Sequence, residues 1–333
     1  MPRCLICHRH EADEVGSHII SRFLLESMYN DGARGANKEQ SFQIGAEGST
    51  AYFGREVLPE TIEQTLGRPV TEADIDGIPN VYVRDHVFCV ACEKKLSYFE
   101  SLYKVEVDTP LSRGKELSKQ QLRIAHFFWL TIIYRWVATR FGHLQLERST
   151  IVELAMITDA IVVNATSAEE IEQNCQNVPI TNNLFIGYLP FSVDNGRHQV
   201  FSHPDKHEPY LQFVNQYIVF FNYHQPEDVA HLEAELGINL GVTASGTTLK
   251  VLSKEEREVV INYFWEVAAL YLAQQFKDTF IERYTEYHKR PPQPAVVEAF
   301  FSEYTQADLP ETVKYSAQRQ AELIQKYILQ KGK

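Results

Sequence analysis

Apolar positions are densest between Leu122 and Phe141, where they fall on every side of a helical period. That pattern predicts a helix at the centre of a domain. Ser118 precedes it, with Gln121 three residues on as a capping-box partner, so the helix is expected to begin there. His126 and Arg135 interrupt the run and read as buried polar groups with local partners. A second long helix is expected from Ser253, capped with Glu256, to about His288, where Pro291 and Pro292 stop it. Within it Val260, Phe264, Val267, Tyr271, Phe276, Phe280 and Tyr284 recur at helical spacing, a face expected to pack against the Ser118 helix.

Shorter patterns fill the rest. Ile151 to Asn164, Ala168 to Cys175, Ala295 to Tyr304 and Val313 to Leu329 read as helices. Leu184 to Phe191, Gln199 to Phe201 and Tyr210 to Phe221 are rich in aromatic and β-branched residues, with Asp194-Asn195-Gly196 as a hairpin turn between the first two. With Thr248 to Leu252, after the loop from Gly237, they predict a small antiparallel sheet at about 184–252. The first hundred residues hold an apolar stretch, His18 to Leu25, and a strand-like run, Val81 to Val90. Between them lies an insertion at about 29–80 whose glycines indicate that part of it is loop, with short helices at Pro59 to Leu66 and Thr71 to Ile75. The expected class is α+β: a lobe of short elements over 1–108, then a mainly helical domain over 109–333 carrying the small sheet.

A chain of 333 residues that is 44% hydrophobic can bury a substantial core. The apolar run is too short to span a bilayer and no apolar leader follows Met1, so a cytoplasmic protein without a membrane partner is expected. A net charge of -12 argues against a broad basic surface for nucleic acid. One segment departs from this. Between Thr109 and Thr150, Arg113, Lys115, Lys119, Arg123, Arg135, Arg140 and Arg148 face only Glu116 and Glu147.

Four of the five cysteines form two CxxC pairs, Cys4-Leu5-Ile6-Cys7 and Cys89-Val90-Ala91-Cys92. A CxxC turn offers two thiolates to one metal, so two such turns complete the tetrahedron that structural zinc (Zn2+) prefers. A redox role is the rival, but neither pair has the strand-to-helix setting of a thioredoxin motif. Cys175 reads as an incidental thiol. His203, Asp205 and His207 read as a polar loop, and His8 and His10 as residues flanking the first knuckle.

Further residues extend the cysteine pattern. Ser17-His18-Ile19-Ile20 follows the first knuckle, and the second continues as Cys92-Glu93-Lys94-Lys95-Leu96-Ser97-Tyr98-Phe99-Glu100. With Ile132-Ile133-Tyr134-Arg135-Trp136, these resemble the HNH endonuclease family, also called treble-clef or ββα-metal, in its bacterial Ser-His-Ile-Ile variant group. The likeness covers about the first 140 residues. It implies an N-terminal treble-clef HNH-like zinc lobe and a metal-dependent nuclease acting on DNA or RNA, as a bacterial defence or mobile-element effector. His18 would be the general base. Glu93, with Glu100 and with Asp85 or His86, would hold a second metal, magnesium or manganese (Mg2+ or Mn2+). The sequence departs from the family at Ser17, where a metal-binding Asp or His precedes the base. It departs again at Arg84, in the place of the central Asn, and at Glu93, in the place of the last His. Those departures fit an alternative, a non-catalytic zinc-scaffolded binding module. Nucleic acid is the expected substrate, with a protein partner or a second copy of the chain as a further partner.

Overall fold

The computed structural model describes residues 2–29, 40–45, 48–53, 60, 62–63, 69–71, 82–141, 144, 146–190, 200–202, 210–221, 229–242, 246–305 and 317–330. In chain order, β1 (Ser17–His18) and α1 (Arg22–Tyr29) are followed by the strands β2 (Gln40–Gly45), β3 (Gly48–Phe53) and β4 (Val83–Arg84). Then come α2 (Val90–Tyr103), a π-turn (Lys104–Asp108), α3 (Thr109–Ser112), α4 (Lys119–Ala138), α5 (Arg148–Thr158), a second π-turn (Asp159–Val163) and α6 (Ala168–Asn177). The sheet strands are β5 (Leu184–Tyr188), β6 (Val200–Ser202), β7 (Tyr210–Val214), β8 (Tyr217–Phe221) and, after α7 (Ala230–Leu236), β9 (Thr247–Val251). Among the described residues the last elements are the helices α8 (Lys254–His288), α9 (Pro294–Tyr304) and α10 (Ala317–Gln330).

The chain divides into two compact units, residues 1–27 with 82–264, and residues 28–81 with 265–333. The insertion expected at about 29–80 therefore lies with the end of the chain.

In the first unit α4 is the central element. Its capping box is complete: Ser118 Oγ accepts from Gln121 N at 3.3 Å, and Gln121 Oε1 accepts from Ser118 N at 2.9 Å. Every residue from Ile124 to Trp136 is buried, as an all-round apolar sequence requires. The two polar intruders have partners: His126 Nδ1 meets Thr247 Oγ1 at 2.9 Å, and Arg135 pairs with Glu100. Tyr103 stacks on Phe128 with centroids 3.9 Å apart and accepts a hydrogen bond from Trp129 Nε1.

The sheet has the order β6-β7-β8-β5-β9. It is mixed and not wholly antiparallel, because β9 runs parallel to β5. The expected hairpin between β5 and β6 is also corrected. β5 pairs with β8 and β9, while β6 pairs with β7; Asp194, Asn195 and Gly196 lie outside the described residues. The tight hairpin is instead β7–β8, turned at Asn215 with φ 55°. Asn215 Nδ2 donates to Leu24 O at 2.7 Å, which fixes that turn in place.

The long helix α8 keeps its expected cap, with Ser253 N donating to Glu256 Oε2 at 2.9 Å. Its expected partner was different. Val260 and Phe264 pack with the sheet residues Phe185, Leu211, Phe213 and Phe220, whereas α4 packs with α2, α5 and α6. A helix needs only some apolar surface opposite its stripe, and the sheet face supplies it.

In the second unit β2 and β3 form a hairpin with Gln40 opposite Phe53, within the insertion that the glycines mark as loop in part. Phe276, Phe280 and Tyr284 of α8 make a core with Phe300 and Tyr304 of α9 and Tyr327 of α10. Residues 60 and 62–63 are helical within the expected helix Pro59 to Leu66; most of Thr71 to Ile75 lies outside the described residues. Among the described residues no helix is long and apolar enough to cross a membrane.

Candidate metal centre and its polar neighbour

The first thiol pair sits in a doubled-back loop. Arg3 bridges antiparallel to Glu11, Cys4 N donates to His10 O and His8 N donates to Cys4 O, both at 2.9 Å. His8 closes the turn at φ 55°, a left-handed conformation that histidine tolerates better than most side chains. The second pair belongs to the start of α2. Cys89 is its N-cap residue and Cys92 lies in its first turn. The Cys89 side chain makes no capping bond, and Asp13 supplies one from the other knuckle, its Oδ1 accepting from Val90 N at 3.1 Å. Leu5 N to Val87 O (2.9 Å), Glu14 N to Phe88 O (3.2 Å) and His86 N to Glu14 O (2.8 Å) lace the knuckles together.

The consequence is a cluster of four sulfurs. The Sγ atoms of Cys4, Cys7, Cys89 and Cys92 all lie within 4.8 Å of one another, and Cys7 Sγ is 3.9 Å from Cys89 Sγ. None of the four is in a disulfide, and all are buried. Bonds of about 2.3 Å from zinc to sulfur put tetrahedral sulfurs about 3.8 Å apart, so this spacing fits a metal at the centre. The electrostatics fit as well. The Cys4 thiol is pulled down to about 4, first by the hydrogen bond from Cys92 and then, against its burial, by the backbone amides of Cys7, Ile6 and Cys89. Cys92 is pushed up in turn by its bond to Cys4, and Cys89 by burial. Four buried thiols thus hold a thiolate ready but cannot all ionise without a cation. This is a buried four-cysteine group suited to a metal ion such as zinc. No protein-family model, curated protein or solved structure matches the chain.

Beside the sulfurs lies a polar cluster with Arg135 of α4 at its centre, only 1% exposed. Its Nη1 donates to Glu100 Oε1 at 2.9 Å and to His18 O at 3.2 Å, and its Nη2 donates to Ser21 Oγ at 3.0 Å. Ser21 Oγ donates on to Glu100 Oε1 at 2.7 Å. Burial lowers the His18 imidazole below its ordinary range, with Glu100 opposing and Arg22 and Arg135 reinforcing, so the ring is neutral near pH 7. Burial raises the Glu93 carboxyl, Arg135 lowers it and Glu100 raises it further. Ser17 also lowers it, although Ser17 Oγ and Glu93 Oε2 fall short of hydrogen-bond geometry and both are buried without a partner.

The structure therefore gathers His18, Glu93 and Glu100 into one electrostatic neighbourhood. Asp85 is occupied elsewhere, since its Oδ1 accepts from Gly16 N at 2.8 Å and so holds a glycine at φ 80°. Among the described residues the four cysteines are the one group with metal-ligand spacing; Glu93, Glu100 and Asp85 do not form a second. Arg84 donates to Thr139 O, satisfying a carbonyl at the end of α4. The basic segment is likewise used within the fold at Arg123, which donates to the carbonyls of Cys175 and Val178. Cys175 is buried, and burial pushes its thiol up to about 12, in keeping with an unreactive side chain. His203, Asp205 and His207 lie outside the described residues. Sequence reasoning did not single out Asp13 or Ser21; an arginine inside an apolar helix signals a partner carboxylate without saying which one.

Proposed function

We propose that the chain is a zinc-scaffolded, HNH-type phosphodiesterase acting on DNA or RNA, with His18 as general base. The observation that carries this reading is that a strand, a knuckle and a helix beside the sulfur cluster bring His18 together with Glu93 and Glu100. The order of knuckle, β1–β4 pair and cysteine-capped α2 is what a treble clef requires. Zinc would be held by Cys4, Cys7, Cys89 and Cys92. All four ligands being thiolates, it leaves no open position for water and serves the fold alone.

In the proposed reaction a neutral His18 takes a proton from water, the water oxygen attacks phosphorus and the bond to the leaving oxygen breaks. Glu93 is the carboxylate best placed to hold Mg2+ or Mn2+, since its Oε2 is buried without a partner. Such a cation would supply charge stabilisation for the developing phosphorane. The test is cleavage of plasmid DNA, single-stranded DNA and RNA with either ion, beside a His18→Ala protein that keeps its zinc. Loss of at least about a hundredfold in rate is expected; undiminished cleavage would remove His18 from the chemistry.

One observation favours the non-catalytic binding module. Arg135 already neutralises Glu100 with a fixed internal cation, leaving less carboxylate charge for a metal. Titration with Mn2+ separates the readings: a second, weaker site lost in Glu93→Gln supports the nuclease, and its absence supports the module.

A further inference from the structure

A groove of about 770 Å³ runs along α5 in the first unit, away from the residues of the proposed nuclease site in its lining. One wall is the helix, with Val152, Met156, Ile157 and then Ala160 of the following π-turn; the other is the extended stretch carrying Val178 and Pro179. Met156 is 68% exposed and Val152 52%, so this apolar wall faces water. The volume falls within the range of small-molecule sites, and the lining is mostly apolar in an open trough.

The walls are tied to each other and to the fold by bonds that do not involve the apolar side chains. Thr181 Oγ1 donates to Glu153 Oε1 at 2.8 Å across the groove. Arg123 grips the carbonyls of Cys175 and Val178 from behind. Asn174 Nδ2 donates to Ile161 O at 3.2 Å, tying α6 to the π-turn. The groove is thus built into the fold, and a ligand need not order it.

Its charges are separated along the helix, a cation at the start of α5 and a carboxylate further on at Glu153. Arg148 and Ser149 line the end at the start of α5, and Arg148 is exposed. The groove's single carboxylate, Glu153, is engaged by Thr181. A guanidinium at one end of an apolar trough complements a ligand with an anionic head and a hydrocarbon tail. We infer that this groove binds a long-chain carboxylate, its head at Arg148 and its chain along Val152, Met156 and Pro179.

The test uses the full chain and calorimetric titration with dodecanoate below its micelle threshold, beside dodecan-1-ol and butyrate. One saturable dodecanoate per chain is expected, with dodecan-1-ol about tenfold weaker for want of the charge-assisted bond. Butyrate should not bind. Met156→Lys should abolish dodecanoate binding while leaving the circular dichroism spectrum unchanged, as befits an exposed position. Arg148→Gln should erase the preference for acid over alcohol. The inference is overturned if dodecanoate does not bind, if Met156→Lys binds it unchanged, or if the alcohol matches the acid. It is overturned equally by a concentration-dependent dimer that Met156→Lys dissociates in a chain that ignores dodecanoate, because the groove would then hold a second copy.

Discussion

His126 illustrates how one side chain ties stability to pH. It is wholly buried, and burial together with the charge of Arg123 lowers its imidazole to about 3. Unfolded, the ring titrates near its ordinary value of about 6.5. Below that pH the unfolded chain takes up a proton that the folded chain refuses. The stability present above pH 6.5 is therefore lost as pH falls towards 3, at up to about 1.4 kcal/mol per pH unit. Urea unfolding at pH 7 and pH 4.5 should show this slope, and a His126→Asn chain should show less of it; equal slopes would mean that other groups dominate. The same burial makes the site only partly legible in the sequence. Cys4, Cys7, Cys89 and Cys92 were legible because their chemistry is in their spacing. Glu93 and Glu100 were legible as a pair on one helical face. The partner of Arg135 was not, since 35 residues separate it from Glu100 and no local pattern encodes a distant ion pair. Asp85 was assigned to a metal on proximity in sequence, whereas its hydrogen bond goes to Gly16.

At the scale of elements, what could be read locally was read well. Ser118 with Gln121 and Ser253 with Glu256 each place a helix start, because a cap is a bond between near neighbours. Strand partnership is different. β5 could pair with any of several apolar strands, and the choice of β8 and β9 is made by the whole core. The two π-turns, each a widened turn continuing a helix, also left no mark in the periodicity. Gly187 reports on that core directly. It sits in β5 opposite Ile218, and a Cβ there would come within 2.3 Å of Ile218 Cγ2 and 3.2 Å of Phe185 Cε1. Gly187→Ala should cost about 2 kcal/mol through overpacking, seen as a lower urea midpoint. A midpoint equal to that of the parent would mean that the sheet opens more easily than its packing implies.

For the whole molecule, the sulfur cluster closes a long loop. Cys7 and Cys89 are 82 residues apart in the chain and 3.9 Å apart in space. Holding those ends together opposes a closure entropy of about 4 kcal/mol, much of which a bound metal would offset. Elemental analysis should find one zinc per chain, and Cys89→Ser should lose it. Chelation should lower the midpoint of thermal unfolding by about 10 °C; a chelated chain that melts unchanged would make the metal dispensable to the fold. The discontinuous first unit also has a history written into its order of synthesis. Cys4 and Cys7 leave the ribosome with two thiols and no partners. At about 5–20 residues per second, roughly 4–16 seconds pass before the second pair is made. In that interval the first knuckle is half of a four-thiol group, open to oxidation; with the proposed zinc as its metal, the cell's supply of zinc and reductant would decide how many chains finish correctly.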